Sequence, residues 1–269
     1  MKRLLILALV AVVLYGCPAS RKTVAPPSPP PVKEKPVPPP AEEKPALPPP
    51  VNVLTEAEVS AGWKLLFDGA SSDGWHAYGS KTIGNAWKSL NGTLYLDAYN
   101  KEGNQVKSGG DIVSDEIYGD FEMQLDWKIS KGGNSGIIIY CQEDRSKYAT
   151  MWMTGPEIQL VDNEGNQEGQ IAKHRAGDLY DLFSAKQGAA KPAGEWNRMK
   201  IRSFRGKLEV FLNEVNTISL TMWDANWWSL IANSKFKDMQ GFGSFRTGRI
   251  GLQDHGNEVW FRNIKIRRL

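Results

Sequence analysis

Cysteine, histidine and, beyond residue 50, proline are scarce in this 269-residue chain, and each scarcity excludes something. The two cysteines are Cys17 and Cys141, and Cys17 closes an N-terminal apolar leader, so no intrachain disulfide can staple the mature domain. Cys141, at the end of Ile137-Ile-Ile-Tyr-Cys, reads instead as a small buried hydrophobe. The three histidines, His76, His174 and His255, stand in no spacing diagnostic of a metal. The apolar run Leu4 to Leu14 falls short of the ~20 residues that span a bilayer as a permanent helix. Basic clusters are missing too. Residues 1–50 hold seven of the 33 Lys/Arg and three of the 30 Asp/Glu, which leaves 26 against 27 for residues 51–269. A near-neutral domain of this kind argues against nucleic acid as a partner.

What is present begins with an export signal: the basic Met1-Lys2-Arg3, the apolar run, then Leu14-Tyr15-Gly16-Cys17. The last four residues resemble the bacterial lipoprotein cleavage box, which implies a signal over 1–17, a lipid on Cys17 and anchorage in the cell envelope, on the periplasmic or cell-surface side. Two or more acyl chains would hold the protein far better than the marginal anchoring of one. Fourteen of the sixteen prolines follow by residue 50. Residues 18–52 therefore read as an extended tether, on the order of 100 Å at ~3.1 Å per residue. Residues 53–269 are the domain.

Within it, short alternating segments recur every ten or so residues between Asp-Gly and Asn-Gly turns, Asn91-Gly92 being the clearest hairpin. Phe121, Met123, Leu125, Trp127 and Ile129 alternate with Glu122, Gln124, Asp126 and Lys128, as in a strand with one packed and one wet face. Later strands are expected at 197–203, 207–213, 215–220, 248–254 and 258–267. One short helix is expected within Met222–Phe236, where Trp223, Trp227, Leu230 and Ile231 recur at helical spacing. The pattern predicts an all-β fold of two packed antiparallel sheets, a sandwich or jelly roll.

The most informative stretch runs from Asn134 to Asp162. Strand parity puts Asn134, Gly136, Ile138 and Tyr140 on one face, and Glu157, Gln159 and Val161 on one face of the next strand. A carboxylate thus sits beside an amide mid-sheet, where burial costs several kcal/mol unless the groups are paired or used on a ligand.

Seven segments in order carry a family likeness: Gly62-Trp-Lys-Leu-Leu-Phe-Asp-Gly to Trp75, Asn134-Ser-Gly-Ile, Gly155-Pro-Glu-Ile-Gln-Leu-Val-Asp-Asn163, Ala176-Gly-Asp-Leu-Tyr180, Gly194-Glu-Trp-Asn197, Gly248-Arg-Ile-Gly-Leu-Gln-Asp-His-Gly256 and Phe261-Arg-Asn-Ile264. Together they resemble the 3-keto-disaccharide hydrolase domain family, over nearly all of residues 60–269. The resemblance implies a concanavalin A-like jelly roll that holds sugar on its concave face, and an exported enzyme acting on glycosides already oxidised at C3. A C3 ketone acidifies the hydrogen on C2. Proton abstraction, loss of the C1 substituent and hydration then complete cleavage, and the site needs a base, an acid and a donor or cation for the enolate oxygen.

Glu157 is the first candidate base. Glu157-x-Gln159-x-x-Asp162 resembles the Glu-x-Asp-x-x-Glu bulge of fold-related β-glucanases, with an amide in the middle, which disfavours ordinary endo-glucanase chemistry. His174 and His255 are candidates for a base, or for ligands of a divalent metal with Glu157 or Asp162. Asn134, Tyr140, Gln159, Asp162, Gln253 and Arg246 are candidate substrate ligands, Arg246 for a hydroxyl or the enolate oxygen. Trp152, Trp227 and Trp228 are candidates for a stacking platform. Arg262 is expected on an apolar face and requires a carboxylate, with Glu157 as one option, and His76 reads as structural. The rival reading is a carbohydrate-binding module without turnover.

Overall fold

A computed structural model of the chain describes residues 50–269. The leader 1–17, its Cys17 and all but the last three residues of the tether expected over 18–52 lie outside the described residues. Asn52, assigned by composition to the tether, is buried and locked to the domain. Its N–H donates to Asn263 Oδ1 at 2.7 Å, its Oδ1 accepts from the Asn263 N–H at 2.8 Å, and its amide donates to the Gly92 carbonyl.

Two antiparallel sheets form the sandwich, and Lys101–Glu102 pairs with Gln105–Val106 in a separate two-stranded sheet. The larger runs Val215–Thr221, Lys207–Leu212, Asn197–Phe204, Phe121–Ile129, Val259–Arg268, Thr93–Leu96, Trp87–Leu90, with Lys64–Leu65 also paired to Val259–Arg268. The smaller runs Glu157–Val161, Asn134–Cys141, Arg249–Leu252, Ile112–Ser114, Trp75–Ala77. Phe121, Met123, Leu125, Trp127 and Ile129 are all buried, and they share one core with Ile137, Ile158, Leu160, Ile250 and Leu252 of the smaller sheet. This is the face-to-face packing of a jelly-roll sandwich. The Asn91-Gly92 turn, both residues at positive φ (51° and 71°), closes the hairpin that pairs Leu90 with Thr93.

Two bulges break the parity assumed from sequence. Arg249 pairs with Cys141 and Gly251 with Ile138, so one extra residue is inserted in Asn134–Cys141. Tyr140 absorbs it at φ 60°, against Gly248, where a Cβ would lie 2.2 Å from the Tyr140 carbonyl carbon. The bulge turns Tyr140 away from the polar face and into the core. Its hydroxyl donates to the Gly119 carbonyl at 3.0 Å and accepts from the Ser203 hydroxyl at 2.6 Å, and its ring meets Phe121 edge-on at 5.8 Å. Tyr140 is therefore a core residue, and the expectation that it binds substrate is corrected.

The second bulge lies between Arg262 and Lys265, where Asn263 takes φ 53°. Phe261, Ile264 and Ile266 point inward, and Arg262 points outward, 3.4 Å from Asp126 and stacked at 4.0 Å on Trp196. Its carboxylate is thus Asp126, which also holds Arg198 at 2.9 Å, and not Glu157.

The expected helix is shorter than its periodicity suggests, Ala225–Ala232, capped by the Asp224 side chain on the Trp227 N–H. A second short α-helix, Glu56–Ser60, corrects the expectation of one; its signal was present in the sequence as the Thr55/Glu58 capping box. Trp227 is buried, with its indole N–H on the Gly243 carbonyl, and Trp228 is 44% exposed.

Tyr140→Phe, which deletes two buried hydrogen bonds and keeps the ring, is expected to lower stability by about 1 kcal/mol. Gly248→Ala is expected to cost more, because its Cβ would meet backbone. Urea midpoints measured at constant m-value check both.

Candidate active site

The polar face of the smaller sheet is built around a missing side chain. Gln159 pairs with Gly136 and Glu157 with Ile138, so a glycine lies beside Gln159 and diagonal to Glu157. A Cβ on Gly136 would lie 2.1 Å from Glu157 Oε1, which means that the Glu157 carboxyl occupies the space above Gly136. On the far side, the Gln253 N–H donates to the Gly136 carbonyl at 2.9 Å. Gln159, Gly136 and Gln253 thus form a row across three strands with the carboxyl lying over it.

This row floors a cavity of about 440 Å³. Asn134 completes the floor; Gln105, Asp111, Asp254 and His255 line one wall, and Tyr180, Lys235 and Phe236 line the other. Thr150 and Trp152 also contribute, Trp152 being half-buried. Five buried side-chain atoms that lack a hydrogen-bond partner lie on these residues: Asn134 Oδ1, Thr150 Oγ1, both amide atoms of Gln159 and Gln253 Oε1. Each such group costs roughly 1–3 kcal/mol when left unsatisfied. A mixed set of donors and acceptors with nothing to bond suits a ligand rich in hydroxyls.

The acids here are far from their ordinary state. Burial pushes the Glu157 carboxyl up to about 8, with the Lys235 charge opposing and the Asp111 and Glu168 charges adding. Burial also lifts Asp111 to about 7, against the Asp254 N–H that donates to its Oδ1 at 3.0 Å and with the Asp254 charge adding. Lys235 is pulled down by burial, while Glu157, Asp181 and Glu168 pull it back up.

Asp254 is spent on architecture: Oδ2 accepts the N–H groups of Val106 and Gly110, and Oδ1 accepts that of Gly256, which anchors the wall containing Asp111. The opposite wall is tied to the sheet by main chain. The Tyr180 N–H donates to the Glu157 carbonyl at 2.9 Å, and the Gln159 N–H to the Asp178 carbonyl.

The structure gathers Glu157, Asn134, Gln159, Gln253 and His255 from the expected set and sends the others elsewhere. His174 lies behind the wall, its Nδ1 2.6 Å from Glu168 Oε2, its Nε2 3.4 Å from Asp181 Oδ1, and its ring 4.3 Å from that of Tyr180. It supports Tyr180 and does not line the cavity. Asp162 ends its strand by accepting the N–H groups of Gly132 and Glu164; burial raises its carboxyl, and these amides with that of Gly165 more than offset it. Asp162 does not return to the face of Glu157, because the chain turns there in place of bulging. Arg246 is exposed and stacks on Trp223 at 4.8 Å. Of the three tryptophans, only Trp152 reaches the cavity. His76 is structural, held between Asp115 and Glu143.

With His174 and Asp162 so engaged, the expected metal set is not assembled, and no three His, Cys, Asp or Glu side chains converge for a metal among the described residues.

Sequence reasoning missed Asp111, Thr150, Tyr180 as a cavity wall, and Lys235. Asp111 had a faint signal, a lone acid heading the apolar strand Ile112–Ser114. Lys235 had none.

Comparison with known proteins fits this geometry. The 3-keto-α-glucoside-1,2-lyase-like domain pattern matches residues 62–267. A 3-keto-disaccharide hydrolase from Bacteroides thetaiotaomicron is 32% identical over 226 residues, 77% of this chain and 78% of that one. A crystal structure from Parabacteroides distasonis, provisionally named a glycosyl hydrolase, aligns with a TM-score of 0.73 at 30% identity over 82% of this chain and 100% of that one. A second from the same organism, named likewise, aligns at 0.60 and 26% over 77% and 99%. The chain therefore belongs to the 3-keto-α-glucoside-1,2-lyase-like family of carbohydrate-active enzymes.

Proposed function

We propose that this enzyme cleaves 3-keto-glycosides by elimination and hydration, with Asp111 as the base and Glu157 as the acid. The observation that carries the reading is the pair of carboxyls in one cavity, raised to about 7 and about 8, above a floor of unpartnered amides. Asp111 accepts the Asp254 N–H, which favours its charged form, whereas Glu157 lies over Gly136 with no main-chain N–H donated to it among the described residues, which orders them as base and acid. This reverses the base role that spacing alone suggested for Glu157.

In this scheme Asp111 takes the C2 proton, and the C–H electrons move into an enolate at the C3 oxygen. The enolate collapses to restore the C3 carbonyl, a C1–C2 double bond forms, and the C1–oxygen bond breaks as Glu157 protonates the departing oxygen. Glu157, now ionised, draws a proton from water as the water adds to C1, and Asp111 returns its proton to C2. Both acids are restored, and the net reaction is hydrolysis. The amides of Gln159, Gln253 and Asn134 would hold the sugar hydroxyls. The leader and Cys17 support placing the enzyme on a lipid anchor in the cell envelope.

The domain from residue 50 onward is expected to release product from a 3-keto-glucoside and not from its unoxidised parent. Binding of both sugars with cleavage of neither would leave only a carbohydrate-binding module. The kcat/KM profile should be a narrow bell: it rises as Asp111 loses its proton near pH 7 and falls as Glu157 loses its own near pH 8. Asp111→Asn should abolish exchange of the C2 hydrogen with deuterated solvent. Glu157→Gln should keep that exchange, lose cleavage about 10²–10⁴-fold, and regain it on a nitrophenyl glycoside whose leaving group needs no proton. The opposite pattern would exchange the two roles. Gly136→Ala should displace the Glu157 carboxyl and reduce cleavage in a protein that still folds. Cys17→Ser is expected to move the full-length protein from the membrane to the soluble fraction, and persistence in the membrane would count against the lipid anchor.

A further inference from the structure

The elimination needs a cation or donor for the oxygen that becomes an enolate, and Arg246, expected there from sequence, stacks on Trp223 away from the cavity. The cavity is lined by four acids, Glu102, Asp111, Glu157 and Asp254, and by one Lys or Arg, Lys235. We propose that Lys235 donates to the C3 oxygen of the keto sugar and takes up its charge as the enolate forms. This assignment rests on the keto-glycoside reading above and names the electrophilic residue of that site.

Lys235 is held for such a role. Its backbone N–H donates to Asp181 Oδ2 at 2.6 Å, and its ammonium sits 4.0 Å over the Tyr180 ring. Tyr180 is fixed three ways: its hydroxyl donates to Glu168 at 2.9 Å, its ring lies against His174, and its N–H is bonded to the Glu157 carbonyl. The cation and the Glu157 strand therefore form one registered unit. A charge resting on an aromatic face is positioned without spending its N–H groups, and Lys235 makes no salt bridge to a carboxylate among the described residues; Glu157, Asp181 and Glu168 act on it through space. A donor already fixed where negative charge develops needs no reorganisation at the moment of reaction.

Wild-type enzyme, Lys235→Met and Lys235→Arg are compared on a 3-keto-glucoside in deuterated water, following C2 exchange and product release. Lys235 is exposed at the cavity rim, so Lys235→Met should unfold at the wild-type temperature. The expected result is a loss of about 10²–10³-fold in both exchange and kcat for Lys235→Met, with KM changed much less and partial recovery in Lys235→Arg. Wild-type-like exchange and kcat in Lys235→Met, or a defect confined to KM, would overturn the assignment while leaving the substrate reading intact. If the wild-type enzyme neither exchanges nor cleaves the keto sugar, the substrate reading fails and the role of Lys235 fails with it.

Discussion

The burial of one carboxyl organises this molecule. Glu157 projects from the first residue of its strand over a glycine of the neighbouring strand, and desolvation there favours its neutral form. The arrangement opposes stability on a definite side of pH. A carboxyl raised from 4.5 to about 8 keeps its proton in the folded state while the unfolded chain has lost it, so between those values folding stability declines as pH rises, by up to ~1.4 kcal/mol per unit for this group. The fold carries that burden because the opposite face of the same sheet is largely apolar. Ile137, Ile158, Leu160 and Leu252 are fully buried against the larger sheet, and at roughly 1.5–3 kcal/mol per buried aliphatic side chain they can offset a polar face that is left unsatisfied.

Each wall around that face is fixed by a carboxylate that bonds backbone and not ligand. Asp254 gathers three main-chain N–H groups beneath the wall that presents Asp111, and Asp178, fully buried, accepts those of Arg175 and Ala185 where the other wall begins. Asp162 does the same at the sheet edge with Gly132 and Glu164. Acids so employed stabilise turns and are unavailable for chemistry, whereas Asp111 and Glu157, poorly served by donors, remain available as proton carriers. Hydrogen bonding to main chain thus sorts the carboxylates of this region into two kinds that composition does not distinguish.

That sorting explains what was legible in the sequence. Alternation over Phe121–Ile129 and the Asn91-Gly92 turn reveal strands and hairpins because they are local, and the all-β sandwich followed from them. Glu157, Gln159 and Asn134 were legible as a polar break in apolar strands, which is a local contradiction. Tyr140 and Arg262 were misassigned because an inserted residue in each strand breaks the alternation of side chains, and nothing in Ile137-Ile-Ile-Tyr-Cys marks the first insertion, which packs against Gly248 more than a hundred residues away. His174 and Asp162 looked reactive until their partners in neighbouring turns were known. Lys235 reaches the cavity through a loop after a helix, a placement that only tertiary packing supplies.

The same logic bears on why Tyr180 carries a histidine behind it. An ammonium over an aromatic face is held by a weak attraction, of order 0.5–2 kcal/mol, and a ring free to rotate would let it drift. His174, pinned at both nitrogens by Glu168 and Asp181, gives the Tyr180 ring a backing, and Glu168 holds the hydroxyl at its far end. Asp181 then reaches forward through its other oxygen to the Lys235 N–H. The two carboxylates therefore serve the histidine, the tyrosine and the lysine together, and the precision of the cation in the cavity derives from groups that never enter it.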